Sequence, residues 1–523
     1  MEKPDPIPQN PNNDEEELDE EDDDEEEEEE DFEEEIEPEI PKPQTRQPQA
    51  RIERAKLENL FRRIQTETVP LRVHDVIIKG NDKTKDSLIE AETALLKDVS
   101  SMQELLEASK LVNFKLQALE VFDSVRITLD SGPPELPGTA NVIVEVVETK
   151  SPVSGEIGAY TKGEARSSTV EGTLKYKNIF GYGDLWDASL AFGGEHMAEV
   201  SAGVYLPRFK GLVTPLTARV FLLSQDWLKF SSFKEQALGL SLGLVSTRKH
   251  DLVYNLSWRT LTDPSQMASR SVRRQLGHGL LSSLKYTFRI DRRNSSLRPT
   301  RGYSFVSTTQ IGGLAPDSRS LRFCRQELDL RYAIPLGFLH SALNIGISSG
   351  LIFPWGAGFL NMPTPLPERF FLGGNLSPVC TLGGPMALYG FRTRGLGPTE
   401  PRRQLQSNPS DDNADSGRDY LGGDLAVTAF ADLSFDFPSK WCQAKGVHGH
   451  IFASAGNIDK LTENAYQNFS LRKFVESFRS SVGAGIVIPT NLLRIELNYC
   501  YMLKKFDHDS GKSGFRISFS TPT

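Results

Sequence analysis

The residue types that most often carry catalysis are scattered along this sequence. Four cysteines lie far apart with neither CxxC nor Cys/His ligand spacing, so neither a zinc site nor a dense disulfide framework is indicated. No phosphate-binding P-loop is present, and the carboxylate runs are typical of solvated segments. Histidines are also dispersed, and six of the eight are His196, His250, His278, His340, His448 and His450. We therefore expect a protein that is not an enzyme, with no metal, no other cofactor and no nucleic-acid partner.

Two segments have a composition that points to binding. Residues 353–423 are rich in Gly and Pro, and a loop of this length without its own secondary structure is usually functional or disordered. At its centre lies Leu388-Tyr389-Gly390-Phe391-Arg392-Thr393-Arg394. Near the end of the chain, Lys512-Ser513-Gly514-Phe515-Arg516-Ile517-Ser518-Phe519 places large apolar residues at every second position, after a glycine that would let a strand bend.

The elements around these segments are predicted to be strands. In Leu493 to Tyr501 the odd-numbered residues are apolar or aromatic, while Arg494, Glu496 and Asn498 alternate with them. Similar alternation recurs from Ser151 onward in segments of about ten residues, the length that a tilted membrane strand needs. We expect about sixteen strands, an even number that suits a closed barrel, beginning near Gly155, Val170, Asp184, Glu199, Thr217, Phe233, His250, Gly279, Gly302, Leu321, His340, Asp424, Val447, Arg479, Leu492 and Gly514.

A membrane barrel competes here with a soluble β-rich fold. Charged inner faces and aromatic residues near the strand ends argue against a soluble sandwich, which would bury a second apolar layer. A membrane helix is not favoured, because the nearest candidate, Ser341 to Leu360, contains several Gly and a Pro. The N-terminus has neither a signal peptide nor an Arg-rich transit peptide, which favours a eukaryotic organelle surface.

The N-terminal part divides into a tail and an α+β unit. Of the 71 acidic residues, 22 lie between Asp14 and Glu39, so the remainder carries 59 Lys and Arg against 49 Asp and Glu. Residues 1–50 are expected to be a disordered acidic tail, either a solvated charge run or a surface that captures basic segments. Residues 51–150 open with a short helix, Arg51 to Phe61, and continue in the order β, α, α, β, β from Leu71 to Val147.

That unit resembles a POTRA domain in two of its segments, Val76-Ile77-Ile78-Lys79-Gly80-Asn81 and Gln117-Ala118-Leu119-Glu120-Val121-Phe122. With the loop at 353–423 and the C-terminal strand pattern, residues 71–519 resemble the outer-membrane assembly superfamily that includes bacterial BamA, with a surface-antigen-type barrel. They are similar in particular to core barrel subunits of the mitochondrial sorting and assembly machinery. The predicted fold is therefore a transmembrane β-barrel over residues 151–523, with an N-terminal α+β POTRA-like domain and a disordered acidic tail.

The resemblance assigns roles to named residues. It implies that the long loop folds into the lumen and packs an apolar-Arg-Gly-aromatic tip on the wall. Leu388, Gly390 and Phe391 match that motif, whereas Tyr389 stands where the family usually has arginine. We hypothesise that Arg392 or Arg394 supplies the missing cation to an inward carboxylate, Asp432 or Asp436. The C-terminal pattern matches the β-signal of mitochondrial outer-membrane barrels, carried here by Lys512, Gly514, Phe515, Ile517 and Phe519.

The function implied is the folding and insertion of β-barrel precursors into the mitochondrial outer membrane. The first strand contains Gly155 and Gly158 and is followed by Gly163, and the last strand is short, so a weak seam is expected between them. An arriving strand would pair with the edge exposed when this seam opens. Expected partners are barrel precursors, outer-membrane lipid and peripheral subunits of a hetero-oligomeric complex, with the POTRA-like domain in the intermembrane space. The alternatives are a protein-translocating pore and a passive solute pore.

Overall fold

A computed structural model describes most of the chain beyond residue 68. The described residues are 69–162, 167–193, 197–208, 214–247, 249–314, 322–355, 363–374, 376–385, 387–403, 417–461, 469–490 and 494–520. The predicted acidic tail, the predicted helix at Arg51 to Phe61 and Gly163 all lie outside these residues. No helix in the described part is both long and apolar enough to cross a bilayer.

The N-terminal unit is a three-stranded sheet covered by helices on one face. Its central strand β3 runs parallel to β1 and antiparallel to β2. Alternate β3 residues, among them Val142, Val144 and Val146, are buried under the helices with Leu105 and Val112. Its elements follow the predicted order and are β1 (Arg72–Lys79), α1 (Asp86–Thr93), a 3-10 turn (Ala94–Leu96), α2 (Met102–Ala118), β2 (Phe122–Ser131) and β3 (Thr139–Glu148).

Sixteen antiparallel strands make the large sheet, as predicted, and each begins within three residues of the expected position. Neighbours in sequence are neighbours in the sheet, except that β14 pairs with β17 across the long loop. The strands are β4 (Val153–Lys162), β5 (Ser167–Lys177), β6 (Leu185–Gly193), β7 (Met197–Leu206), β8 (Leu216–Asp226), β9 (Lys234–Thr247), β10 (His250–Thr262), β11 (Gly277–Asp291), β12 (Gly302–Gly312), β13 (Arg322–Pro335), β14 (Ala342–Trp355), β17 (Leu425–Asp436), β18 (His448–Asp459), β19 (Arg479–Pro489), β20 (Arg494–Lys504) and β21 (Gly514–Ser520).

Shorter elements lie in the connections between these strands. Two of them, β15 (Thr399–Pro401) and β16 (Arg418–Tyr420), pair within the long loop. Within the described connections lie the short helices α3 (Leu228–Ser231), α4 (Arg270–Arg273), α5 (Lys440–Ala444) and α6 (Leu471–Glu476), and a 3-10 turn spans Leu366–Glu368.

Period-two alternation separates the two faces of the barrel. On β20, Glu496 and Asn498 are buried, whereas Leu497, Tyr499 and Tyr501 are exposed. Since successive side chains of a strand point to opposite faces, the exposed set forms the outer, apolar face. The inner face of β20 faces the lumen, where the long loop covers it.

The N-terminal unit is attached to the barrel at the turn between β5 and β6. The Asn178 side-chain amide donates to Thr84 Oγ1 at 2.9 Å, and the Lys85 backbone N–H donates to Gly181 O at 2.9 Å. At Gly181 a Cβ atom would lie 2.4 Å from the carbonyl oxygen of Lys83, and its φ of +80° also favours glycine. The backbones therefore approach too closely at this junction for any larger residue.

The sheet ends at β4 and β21. Every other neighbouring pair of strands forms a hydrogen-bonded ladder, but no ladder joins the described residues of β4 to those of β21. Outward residues on both strands are strongly exposed, with Ile157 at 88% and Phe515 at 77%. We call the boundary between β4 and β21 the seam. The hydrogen-bonded ladder of the large sheet is interrupted there among the described residues.

Candidate functional site

The long loop enters the barrel between β14 and β17 and is fixed at its base. Phe370 and Gly423 exchange backbone hydrogen bonds at 3.0 Å in each direction, which brings the two ends of the loop together. Phe370, Leu388 and Phe391 are fully buried in one apolar cluster with residues of the barrel wall, including Phe323 and Ile458. The loop thus shares an apolar core with the barrel wall, which fixes the position of its tip.

The tip lies against strands near the end of the barrel. The Ser481 hydroxyl on β19 donates to the Tyr389 carbonyl oxygen at 2.6 Å, and the Tyr389 ring lies 4.4 Å from that of Phe452 on β18. Gly390 adopts a φ of +89°, which turns the chain so that Phe391 forms a bridge with Gly511. The sequence-predicted residues Leu388, Tyr389, Gly390 and Phe391 therefore meet one patch of the wall.

The Tyr389 side chain ends on a carboxylate. Its hydroxyl donates to Glu496 Oε2 at 2.9 Å and also lies 3.3 Å from Ser377 Oγ. Only 3% of Tyr389 is exposed. Burial first, and then the negative charge of Glu496, raise the pKa of Tyr389 well above its ordinary value. The hydroxyl is therefore a permanent donor at neutral pH.

Glu496 belongs to a buried polar network that sequence reasoning did not identify. Arg494 Nε lies 2.6 Å from Glu496 Oε1, and the Asn498 amide donates to Glu496 Oε2 at 2.9 Å. His450 Nε2 lies 2.7 Å from Asn498 Oδ1, while its Nδ1 lies 3.0 Å from Asp432 Oδ2. The alternation of Arg494, Glu496 and Asn498 was visible in the sequence, but it carried no sign of which loop residue they would meet.

The hypothesis that Arg392 or Arg394 pairs with Asp432 or Asp436 differs from what the structure shows. Arg392 is exposed, and the Arg394 guanidinium carbon lies 3.1 Å from the centroid of the Trp227 ring. Asp432 has His450 at 3.0 Å and Arg494 at 4.0 Å as cationic neighbours. Asp436 has Arg298 at 2.6 Å and His340 at 3.5 Å. The cation paired with Glu496 is thus Arg494 of the wall, and the loop contributes a neutral hydroxyl.

The C-terminal pattern occupies the last strand. Phe515, Ile517 and Phe519 are exposed on the outer face, and Gly514 begins the strand with a φ of +146°. The Lys512 backbone N–H donates to Gly390 O at 3.2 Å, so this segment touches the loop tip directly. Two of the site segments selected from the sequence are therefore in contact.

The third selected segment lies apart from these two. Gly155 and Gly158 lie on β4, with open space where a Cβ would be added at Gly155. Gly163 belongs to the residues that the structure does not describe. No described contact joins the β4 glycines to the loop tip. Their link to the site is that β4 forms the other edge of the seam.

The remaining lumen holds a charged cavity of about 690 Å³. Arg219, Arg259 and Lys285 line it from the wall, and Glu368 and Arg369 line it from the loop. The loop therefore fills one side of the lumen while the other side contains a polar space.

Comparison with known proteins places this architecture in a family. The family model described as the Omp85 superfamily domain matches residues 178–522, about two thirds of the chain. The chain belongs to the Omp85 superfamily.

Individual Omp85 relatives extend the match toward the N-terminus. A sorting and assembly machinery component 50 homolog of Xenopus tropicalis is 28% identical over 447 residues, covering 83% of this chain and 86% of the relative. The human component 50 homolog is 27% identical over 441 residues, covering 82% and 85%. These names describe assembly components rather than enzymes, which agrees with the expectation from the sequence.

A solved structure shows the same fold. The crystal structure of BamA from Haemophilus ducreyi lacking POTRA domains 1-3 superposes with a TM-score of 0.67 at 17% identity, covering 86% of this chain and 84% of that one. The sixteen-stranded transmembrane barrel predicted from alternation is therefore confirmed as the Omp85 barrel fold.

Proposed function

We propose that this Omp85 protein folds and inserts β-barrel precursors into the mitochondrial outer membrane by pairing their strands at the seam. The observation that carries the proposal is the sheet that ends at β4 and β21 with no ladder between their described residues. Unpaired backbone N–H and C=O groups are very costly in hydrocarbon, so a strand entering lipid needs a template. The edges of β4 and β21 provide such a template.

Each residue group of the site has a place in this proposal. The last strand, Gly514–Ser520, contains most of the proposed β-signal, and an incoming precursor carrying a similar segment would compete for its position. Gly155 and Gly158 would ease the approach of a new strand to β4. The tip residues, Leu388 to Phe391, would hold the inner wall in shape while the last strand is in place.

The compartment and partners rest on the relatives. Homologues named as sorting and assembly machinery components support an outer-membrane location in mitochondria and work within a multi-subunit complex. The N-terminal sheet and helices would act as a POTRA domain facing the intermembrane space, where precursors arrive. Peripheral assembly subunits and outer-membrane lipid complete the expected partners.

Depletion of the chain tests this proposal. Assembled outer-membrane barrels should fall within cells that lack it, while import of soluble matrix proteins continues at first, because only the former need strand templating. A passive pore would instead leave barrel assembly intact and remove a conductance. Unchanged assembly of newly made barrels after depletion would overturn the proposal.

A further inference from the structure

Two inward side chains of β21, those of Arg516 and Ser520, contact the lumenal loop. Arg516 Nη2 donates to the carbonyl oxygen of Gly390 at 2.8 Å. At the other end of the strand, Ser520 Oγ accepts from the backbone N–H of Ser377 at 3.0 Å. The same loop therefore touches the last strand at both ends of its lumenal face.

The turn that precedes β21 is bound to the loop as well. The Arg392 backbone N–H donates to Ser510 O at 2.8 Å, and the Ser510 N–H donates to Gly395 O at 2.8 Å. Phe391 and Gly511 form an isolated β-bridge between these hydrogen bonds. The loop tip thus continues the hydrogen bonding of the C-terminal segment beyond the end of the strand.

These contacts make the position of β21 depend on two neighbours. One is β20, which pairs with it from Arg494↔Ser520 to Cys500↔Gly514, and the other is the loop. If another strand took the place of β21, Ser377 N–H would lose Ser520, and Gly390 O would lose Arg516, one of its two donors. A buried polar group that loses its partner destabilises the arrangement around it, so the loop would have to move or open to water.

We propose that Arg516 and Ser520 are positioning residues that latch the lumenal loop to the last strand, so that displacement of β21 by an arriving strand releases the loop tip. The inference rests on the proposed function for its arriving strand, although the latch itself is a property of the resting protein. The loop tip is therefore bound while β21 is in place and released into the lumen when β21 is displaced.

A native thiol serves as the reporter for this latch. Cys380 lies in the same part of the loop, is fully buried, and has its sulfur 3.9 Å from Ser377 O. Burial also raises the pKa of the Cys380 thiol, which slows its reaction with a maleimide further. Labelling becomes specific to this position when Cys324, Cys442 and Cys500 are replaced by alanine in the full chain.

The first test compares labelling rates of the purified protein in detergent. R516A/S520A should label at Cys380 roughly tenfold faster than its parent, as expected when the two lost hydrogen bonds together contributed about 1.4 kcal/mol. R516K should restore most of the protection, because lysine can also donate to Gly390 O. The matched control is R219A/S189A, which removes a lumenal arginine and serine that contact Asp187 on β6 and Ser201 on β7, away from the loop tip, and it should label like the parent. Equal rates for R516A/S520A and its parent would overturn the latch.

The second test adds a synthetic peptide of residues 512–520 to the otherwise unaltered reporter protein. Peptide crosslinked at β4 should accelerate Cys380 labelling, whereas a scrambled peptide should not. A peptide that crosslinks at β4 and leaves Cys380 protected would overturn the coupling. Failure of the proposed function is detected separately, since it appears as normal barrel assembly after depletion of the chain, whatever the labelling rates are.

Discussion

Tyr389 places a neutral donor against a buried carboxylate. Removing that donor would leave the carboxylate with an unmet hydrogen bond and lower the stability of the fold. The hydroxyl donates a hydrogen bond to Glu496, which also contacts Arg494 and Asn498. Hydrogen bonds to charged groups typically contribute about 1.5–3 kcal/mol. Because Glu496 is a carboxylate, this hydrogen bond holds the tip more strongly than a bond between two neutral groups would.

Tyr389→Phe should lower the stability of the barrel by about 1–3 kcal/mol, because Glu496 loses a donor without gaining water. The measurement is the thermal midpoint of the detergent-solubilised protein, followed by its compact migration on an unboiled gel. Tyr499→Phe makes the same change on the exposed outer face of β20 and should leave the midpoint in place. Equal midpoints for the two variants would contradict the role given to the hydroxyl.

Gly390→Ala tests the backbone at the tip. Its φ of +89° costs a residue with a Cβ about 1–2 kcal/mol, although the nearest atom to that Cβ, Met502 Cγ, lies at 3.4 Å and leaves room. Thermal midpoints in detergent should therefore fall by a few degrees. Gly172→Ala, on β5 with open space around the added methyl, is the control and should behave like the parent. A loss as large for Gly172→Ala would point to a general effect of glycine replacement.

The sequence predicted the tip residues of the loop but not Glu496, the residue that Tyr389 contacts. Leu388, Gly390 and Phe391 stand out because their types and spacing form a local pattern, whereas the contact of Tyr389 with Glu496 joins residues 107 positions apart. No local pattern encodes that pairing, which depends on how far the loop reaches across the lumen. The placement of Arg394 against Trp227 was invisible for the same reason, since the ring belongs to the connection after β8.

At the scale of elements, the strands were predictable because period two is written directly in the sequence. The sixteen predicted strand starts lie within three residues of the observed ones, because the alternation of apolar and polar residues marks each strand. The interior of the long loop was not predictable in this way. Its path is set by tertiary contacts such as Phe370 with Gly423 rather than by any repeating pattern.

The junction between the N-terminal unit and the barrel should depend on pH through Glu148. Its Oε1 accepts the backbone N–H of Thr84 at 2.7 Å and that of Lys83 at 3.1 Å. Burial alone would raise the pKa of Glu148, but these hydrogen bonds outweigh it and lower the pKa below its ordinary 4.5. The carboxylate therefore stabilises the junction above pH 4.5, and this contribution is lost as the pH falls through the lowered pKa.

Amide hydrogen exchange at Lys83 and Thr84 checks this expectation. After correction for intrinsic rates, protection should decrease as the pH is lowered from 7 toward 3. In Glu148→Gln the protection should be weaker at pH 7 and nearly independent of pH, because the amide cannot titrate. Protection in the parent that stays constant over this range would show that Glu148 does not hold the junction.

At the scale of the whole molecule, the sixteen-stranded sheet ends at β4 and β21, with no ladder between the described residues of these two strands. The N-terminal unit is attached beside β5 and β6, next to the first strand, while the loop binds β21 at the other side of the seam. Each edge of the seam therefore has its own support, and neither edge depends on the other to stay ordered. This arrangement suits a barrel that opens without unfolding.

A reversible disulfide across that seam tests most directly whether precursors enter between β4 and β21. One cysteine is placed in β4 and one in β21, in a chain lacking its native cysteines, and the pair is oxidised before newly made barrel precursors are added to organelles carrying only this variant. We predict that the oxidised protein inserts few or no precursors and that reduction restores insertion. Equal insertion by the oxidised and reduced forms would show that precursors do not enter through the seam.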